Sequence, residues 1–159
     1  MTALIDTFWD RIDDVRAGLL APEGERPVPM APQPDRKANA LWFITAEGTA
    51  AHDGAKGGAK ASFQVADPKA NLYATIEGTL TEVHDEQKLD EMWNVFAAAW
   101  FENGREDSKV RLVKFTPLHA EVWATEKTVG YLYEIAKATV TDDTPDGGEH
   151  GHVTFAAAA

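Results

Sequence analysis

The sequence predicts a mainly β domain of the α+β class, a small antiparallel barrel with helices on its flanks. Three observations point there. Over residues 72–83, Leu72, Ala74, Ile76, Gly78 and Leu80 alternate with Tyr73, Thr75, Glu77, Thr79 and Thr81, the period of two of a half-buried antiparallel strand. Residues 41–45, Leu-Trp-Phe-Ile-Thr, are a β-branched and aromatic run suited to a strand buried on both faces. Residues 2–20 and 85–101 instead carry apolar side chains at three- and four-residue steps, the spacing of an amphipathic helix. At 159 residues the chain fits one domain with one core. The expected division is an N-terminal helix over 1–20, a barrel over 22–125 with a helix at 85–101, and a C-terminal helix and tail over 126–159.

In chain order, Leu4, Ile5, Phe8, Trp9, Ile12, Val15 and Leu19 form the stripe of the first helix, which Pro22 and Gly24 are expected to stop. Five prolines over residues 22–34 remove amide donors, so residues 26–30 read as an edge or irregular strand headed by Arg26. Residues 35–39 are the expected hairpin loop into strand 41–45. Residues 47–60, rich in Gly, Ala and Lys, fit either a flexible loop or a frayed helix. Arg26, the hydroxyls after residue 44 and this Gly/Lys loop together suggest a corner able to hold a phosphate.

A strand over 61–66 ends at the Asp67-Pro68 turn signal, and Gly78 marks a bend or bulge in the next strand. The second helix has Asp85 as its cap, Asn103-Gly104 as its stop, and Leu89, Met92, Trp93, Phe96, Ala97 and Trp100 as its apolar stripe. Residues 110–116 and 119–125 read as two strands either side of Pro117-Leu118. Residues 128–138 suggest a third helix through Val129, Leu132, Tyr133 and Ala136, and residues 153–155 a last edge strand.

Composition excludes several functions. A net charge of -11, from 26 acidic against 15 basic side chains, repels a phosphate backbone, so neither nucleic acid nor an anionic membrane is an expected partner. With no cysteine there is no disulfide framework, thiolate zinc site or thiol nucleophile. Asp6, Asp10, Asp13 and Asp14 interrupt the N-terminal apolar residues and argue against a signal peptide or membrane anchor, and a cytoplasmic location is the expectation. His150-Gly151-His152 has metal-compatible spacing but no third ligand nearby in sequence, so no metal is assigned. His52, His84 and His119 are scattered, without a nucleophile and acid to form a triad. Neither a Walker A sequence nor a Gly-x-Gly-x-x-Gly fingerprint is present.

Four stretches in order carry a family likeness: Leu41-Trp42-Phe43-Ile44-Thr45, Ile76-Glu77-Gly78-Thr79-Leu80, Ala99-Trp100-Phe101, and residues 115–123, Phe-Thr-Pro-Leu-His-Ala-Glu-Val-Trp. Over roughly residues 5–155 the chain resembles the general stress protein 26 group of the pyridoxamine 5'-phosphate oxidase-like, flavin-binding split-barrel superfamily. That resemblance implies a six-stranded antiparallel split β-barrel, paired as a homodimer with two flavin mononucleotide (FMN) sites at the subunit interface. It maps flavin phosphate contacts onto Arg26, Thr45 and Thr49, lays the backbone of Val28, Pro29 and Met30 along the isoalloxazine ring, and offers Trp123 from the partner subunit. Trp42 and Lys60 complete the expected cofactor-binding set.

Where many relatives have a basic pair after the hydroxyl residue, this chain has Ala50-Ala51, so Lys56 or Lys60 is left to supply charge. From the residues alone, Arg26 reads first as a surface arginine, and only the resemblance sets a phosphate clamp level with that reading, while Thr45 and Thr49 read equally as hydroxyls satisfying local backbone groups. The resemblance implies an FMN-binding protein of the general stress type, with FAD as a second candidate and FMN-dependent oxidoreductase as the enzyme class if it turns over substrate. No catalytic side chain is identified. The alternatives are a flavin-free dimeric binding module, or a haem binder on the same fold using His119 or His84.

Overall fold

The computed structural model describes residues 3–125 and 148–155. The chain begins with helix α1 (Leu4–Ile12), strands β1 (Gly18–Pro22), β2 (Val28–Met30), β3 (Gln33–Asp35) and β4 (Ala40–Ala46), and helix α2 (Ala50–Lys56). Strands β5 (Lys60–Asp67) and β6 (Leu72–Val83), helices α3 (Glu86–Met92) and α4 (Val95–Ala98), and strands β7 (Val110–Thr125) and β8 (Gly148–Thr154) follow. Every strand pairing is antiparallel.

The order across the sheet is β2-β1-β5-β6-β7-β4-β3, with β8 pairing β7. Its two ends, β2 and β3, are consecutive in the chain with only Ala31 and Pro32 between them, so the sheet closes on itself. Strand β7 is where it splits. One edge of β7 pairs with β6 along almost its whole length, while the other is shared by β4, opposite residues 110–115, and β8, opposite residues 119–125. The result is an antiparallel split barrel with eight described strands where six were expected.

The barrel is filled by the inward faces of these strands. Leu20, Leu41, Phe43, Phe63, Ile76, Leu80, Val113 and Phe115 are fully buried, and Phe43 meets Phe63 edge-on at 5.1 Å. Closing this core over aromatic side chains removes a large apolar area from water, which is the main drive for the fold. Helix α1 seals one side through Phe8 and Trp9, both edge-on to Phe155 at 5.2 and 5.7 Å. A second cluster lies outside the barrel, where Leu89 of α3 covers Ala40, Trp42, Val110 and Leu112.

The strand over 72–83 forms as expected, and the bulge at Gly78 is present. Glu77 faces His119 but Gly78 faces Pro117, so Leu118 is an extra residue on β7. Inward positions are therefore Val113, Phe115 and Pro117 before the bulge and Ala120, Val122 and Ala124 after it. A Cβ on residue 78 would lie 2.2 Å from the Thr116 carbonyl oxygen, so only glycine fits. Pro117, lacking an N–H, sits where a ladder donor is dispensable. For this reason residues 110–125 form one strand and not the two expected.

Other expectations need correction. The first helix ends at Ile12, because the chain turns at Asp13-Asp14, and Gly18–Pro22 is a strand. Leu20 points into the core opposite Phe63 while Leu19 faces out, so Pro22 and Gly24 end a strand and not a helix. The helix expected over 85–101 is broken: Trp93 is extended at φ -68, ψ 133, and the Asn94 side chain accepts from the Ala97 amide at 2.9 Å to start α4. Trp100 is consequently 85% exposed, not part of an apolar stripe. Between loop and helix for residues 47–60, the chain forms α2. The third helix expected over 128–138 lies outside the described residues.

Candidate functional site

At the barrel end closed by α2, the inward positions change from apolar to polar. On β4 Phe43 gives way to Thr45, on β6 Leu80 to Glu82, and on β7 Val113 to Arg111, and Thr45 stands directly opposite Arg111. Helix α2 brings His52, 3% exposed, onto this polar layer. The Gly48 amide donates to His52 Nδ1 at 3.2 Å, so Nδ1 carries no proton and Nε2–H is the donor to Glu82 Oε1 at 3.0 Å. The hydrogen bond from His52 holds the Glu82 carboxyl below its ordinary range against the effect of burial, with His84 and Arg111 adding charge attraction.

The hydroxyls at this mouth form a closed set. Thr49 caps α2, accepting from the His52 amide at 3.3 Å, and its hydroxyl donates to the Ala46 carbonyl at 2.9 Å. The Thr45 and Thr49 oxygens are 2.8 Å apart. Arg111 donates to the Ser108 and Val110 carbonyls at 2.8 and 2.9 Å and pairs with Glu47 at 3.3 Å. Lys56 pairs with Asp53 at 3.5 Å. A cleft of about 390 Å³ opens beside these groups, between Glu47, Lys56, His84 and Arg111.

A second concavity, about 410 Å³, runs over the outer face of the sheet. Its walls are Leu19 of β1, Pro29 of β2, Gln64 and Ala66 of β5, Tyr73 of β6 and Trp123 of β7, and it is mostly apolar. Leu19, Val28 and Trp123 are exposed at 41, 39 and 38%. The Trp123 indole stacks on the His150 imidazole, 4.9 Å between centroids and 6° between planes, and His150 Nε2 is 3.0 Å from Glu121 Oε1. At one end of the sheet path, β2 pairs only with β1 among the described residues, and its central Pro29 cannot donate.

The structure therefore distributes the expected residues over several places. Pro29 and Trp123 share the outer groove, with Val28 exposed beside them on β2. Met30 instead packs against the main core. Thr45 and Thr49 meet at the α2 mouth. Arg26 lies exposed in the turn between β1 and β2, and the Glu23 amide of that turn donates to the Lys60 carbonyl at 2.8 Å, so Arg26 and Lys60 belong to one corner. Neither has a side-chain partner among the described residues.

Trp42 is 5% exposed under α3, which takes it away from both cavities. Its indole donates to Asp35 Oδ2 at 3.2 Å, and Lys88 reaches the same oxygen at 3.3 Å while lying over the Trp42 ring. Burial alone would raise the Asp35 pKa, but hydrogen bonds from Trp42, the Ala38 amide and Lys88 hold it below its ordinary value.

Sequence reasoning missed the His52–Glu82 pair. The signal was present: continuing the alternation of residues 72–80 puts Glu82 on the inward face, where a carboxylate needs a partner. No group of three or more His, Asp or Glu among the described residues is placed to hold a metal ion, and no described helix is long and apolar enough to cross a membrane.

A closed antiparallel barrel split along one long strand, with a polar helix-capped mouth and an apolar outer groove, defines a protein of the split-barrel fold. The chain belongs to the pyridoxamine 5'-phosphate oxidase-like family, whose model matches residues 4–146. It is similar to a protein from Jannaschia sp. CCS1 assigned as general stress protein 26, at 47% identity over 98% of this chain and 100% of that one, TM-score 0.87. It is also similar to the general stress FMN/FAD binding protein of Xanthomonas citri, at 27% identity over 77% of this chain and 89% of that one, TM-score 0.67. A general stress family protein from Xanthomonas campestris pv. campestris is similar at 27% identity over 80% and 93%, TM-score 0.68. Comparison with curated proteins returns no match.

Proposed function

We propose that this chain is a flavin-binding protein of the general stress type, active as a homodimer, with the isoalloxazine ring lying in the outer groove. The single observation that carries the reading is the groove itself. It couples an edge strand with free backbone on one side, Val28–Met30, to an exposed aromatic, Trp123, on the other. Its volume of about 410 Å³ lies within the range of small-molecule sites, roughly 300–1,000 Å³. The name of the Xanthomonas citri relative, an FMN/FAD binding protein, supports the same ligand class.

The fit differs between the two halves of a flavin nucleotide. Leu19, Pro29, Tyr73 and Trp123 suit a flat, largely apolar ring, which they would orient and shield from water. For an anionic tail, Arg26 and Lys60 are the unpartnered cations of the expected set, whereas Met30 and Trp42 are turned to structural duties. A bound flavin would supply electron transfer, and the protein would contribute binding, orientation and the local field. The finer reading is FMN as cofactor and flavin-dependent oxidoreductase as the activity, exercised in the cytoplasm.

The test is an absorbance spectrum from about 300 to 600 nm, taken on purified protein and again after loading with excess FMN and desalting. Retained flavin bands are the expected outcome. A spectrum that stays blank overturns the reading in favour of a flavin-free module. Arg26→Ala is expected to lower FMN affinity by up to about fivefold, as suits an exposed charge. Unchanged affinity in fluorescence titration removes Arg26 from the site.

A further inference from the structure

We infer that this chain selects a flavin by its ring and does not read a phosphomonoester at the Thr45–Thr49 corner, so that riboflavin binds about as well as FMN. The inference rests on the flavin reading above and narrows its ligand class. An anion site needs donors aimed at the anion, and the corner has none left to aim from its side chains. The Thr45 and Thr49 hydroxyls bond each other at 2.8 Å and Thr49 also bonds the Ala46 carbonyl at 2.9 Å, so both are engaged within the corner. Thr45 is itself buried. His52 points its amide at Thr49 and its ring proton at Glu82.

The charges around the corner argue the same way. The first residues of α2 are Ala50 and Ala51, followed by the exposed Asp53. Lys56 is paired with Asp53, and Arg111 with Glu47 and its own local carbonyls. Glu47, Asp53 and Glu82 thus stand against two cations already engaged, an environment that repels a phosphate dianion. Lys109, whose carbonyl accepts from the Glu47 amide at 2.8 Å, stands beside Asp107, and the cations of the expected set, Arg26 and Lys60, are on the far side of α2, whose Gly54 faces Pro22 at the end of β1. Both are exposed, so their pull on a tail phosphate is weak and screened by salt.

The test is a set of fluorescence titrations of the full chain with riboflavin, FMN and FAD at about 0.05 and 0.5 M NaCl. The expected result is dissociation constants for riboflavin and FMN within about fivefold of each other at low salt, converging at high salt. Ala51 is buried in the core, so the charge is added at the half-buried first position of α2 alone: Ala50→Lys is expected to add a phosphate contact, tightening FMN at least tenfold while leaving riboflavin unchanged. FMN binding the unaltered chain at least tenfold tighter than riboflavin, with the advantage lost in Thr45→Val, overturns the inference and leaves the flavin reading intact. No binding of any of the three overturns both. An Ala50→Lys variant that folds yet gains nothing for FMN overturns the argument that missing charge at α2 is the cause.

Discussion

The cleft beside α2 and the groove on the outer sheet enclose similar volumes, about 390 and 410 Å³, yet their groups stand in opposite conditions. At the α2 mouth, His52, Glu82, Thr45, Thr49 and Arg111 all have partners within the chain. In the groove, Leu19 and Trp123 leave apolar surface in water. Polar groups that satisfy one another hold a structure together and have little left to offer a ligand, whereas exposed apolar groups gain free energy only when something covers them. A residue set chosen for hydroxyls and cations is drawn to the first region, and the physics of binding favours the second.

The contrast breaks most visibly at His52. Replacing His52 by Ala removes a buried ring and its hydrogen bond to the half-buried Glu82 carboxylate, which keeps only the looser approaches of His84 and Arg111 at 3.6 and 3.9 Å, and is expected to lower unfolding free energy by about 1–3 kcal/mol. Urea denaturation measures it. A loss below about 0.5 kcal/mol means the mouth is not the structural unit described here.

The same pair sets a pH dependence. Because the Glu82 pKa is lowered on folding from an ordinary value of 4.5, its contribution is present above that value and is lost as pH falls below it through the folded-state pKa. The drop in melting temperature below about pH 4.5 should therefore be smaller in Glu82→Gln than in the unaltered chain. Identical acid limbs in the two proteins would remove Glu82 from the account.

How much of this was legible differs element by element. The alternation over residues 72–83 fixed a strand to the residue, because one face meets the core and the other water. Pro117 hid the continuity of β7, since a proline inside a strand reads as an interruption unless the bulge opposite Gly78 is known, and that bulge depends on tertiary pairing. Leu19 extended a helical pattern that the turn at Asp13-Asp14 had already ended, because a residue three or four steps on can join a stripe by chance. Asn94 was readable as a second cap, but the apolar run across it favoured one helix. For the site, Pro29 and Trp123, 94 positions apart in the chain, meet through β1, β5 and β6. Only the family resemblance, not the spacing, could bring them together in advance.

Thr49 gives a sharper and smaller test. Thr49→Ala removes the α2 cap and is expected to destabilise the chain by about 1 kcal/mol, while Thr49→Ser, which keeps the hydroxyl, loses only a few tenths. If the hydroxyl serves structure alone, flavin affinity stays within about twofold in both variants whatever happens to the melting temperature. A fall in affinity in Thr49→Ala that Thr49→Ser restores would move the corner from scaffold to binding site.

A small effect on stability is also expected at the other region. Trp123 is 38% exposed, and its one stacking partner, His150, has a side chain 52% exposed, so Trp123→Ala removes contacts that water already competes for. The expected loss is no more than about 1 kcal/mol, close to that of a single aromatic pair. Flavin retention should respond in the opposite proportion, because the indole forms one wall of the groove, and the variant should lose bound flavin on desalting. His52→Ala and Trp123→Ala thus form a crossed pair. The first is expected to lower stability while leaving affinity per folded molecule within about twofold, and the second to do the reverse. Should both variants lose stability and affinity together, the two regions are coupled, and the separation between a self-satisfied mouth and an open groove fails.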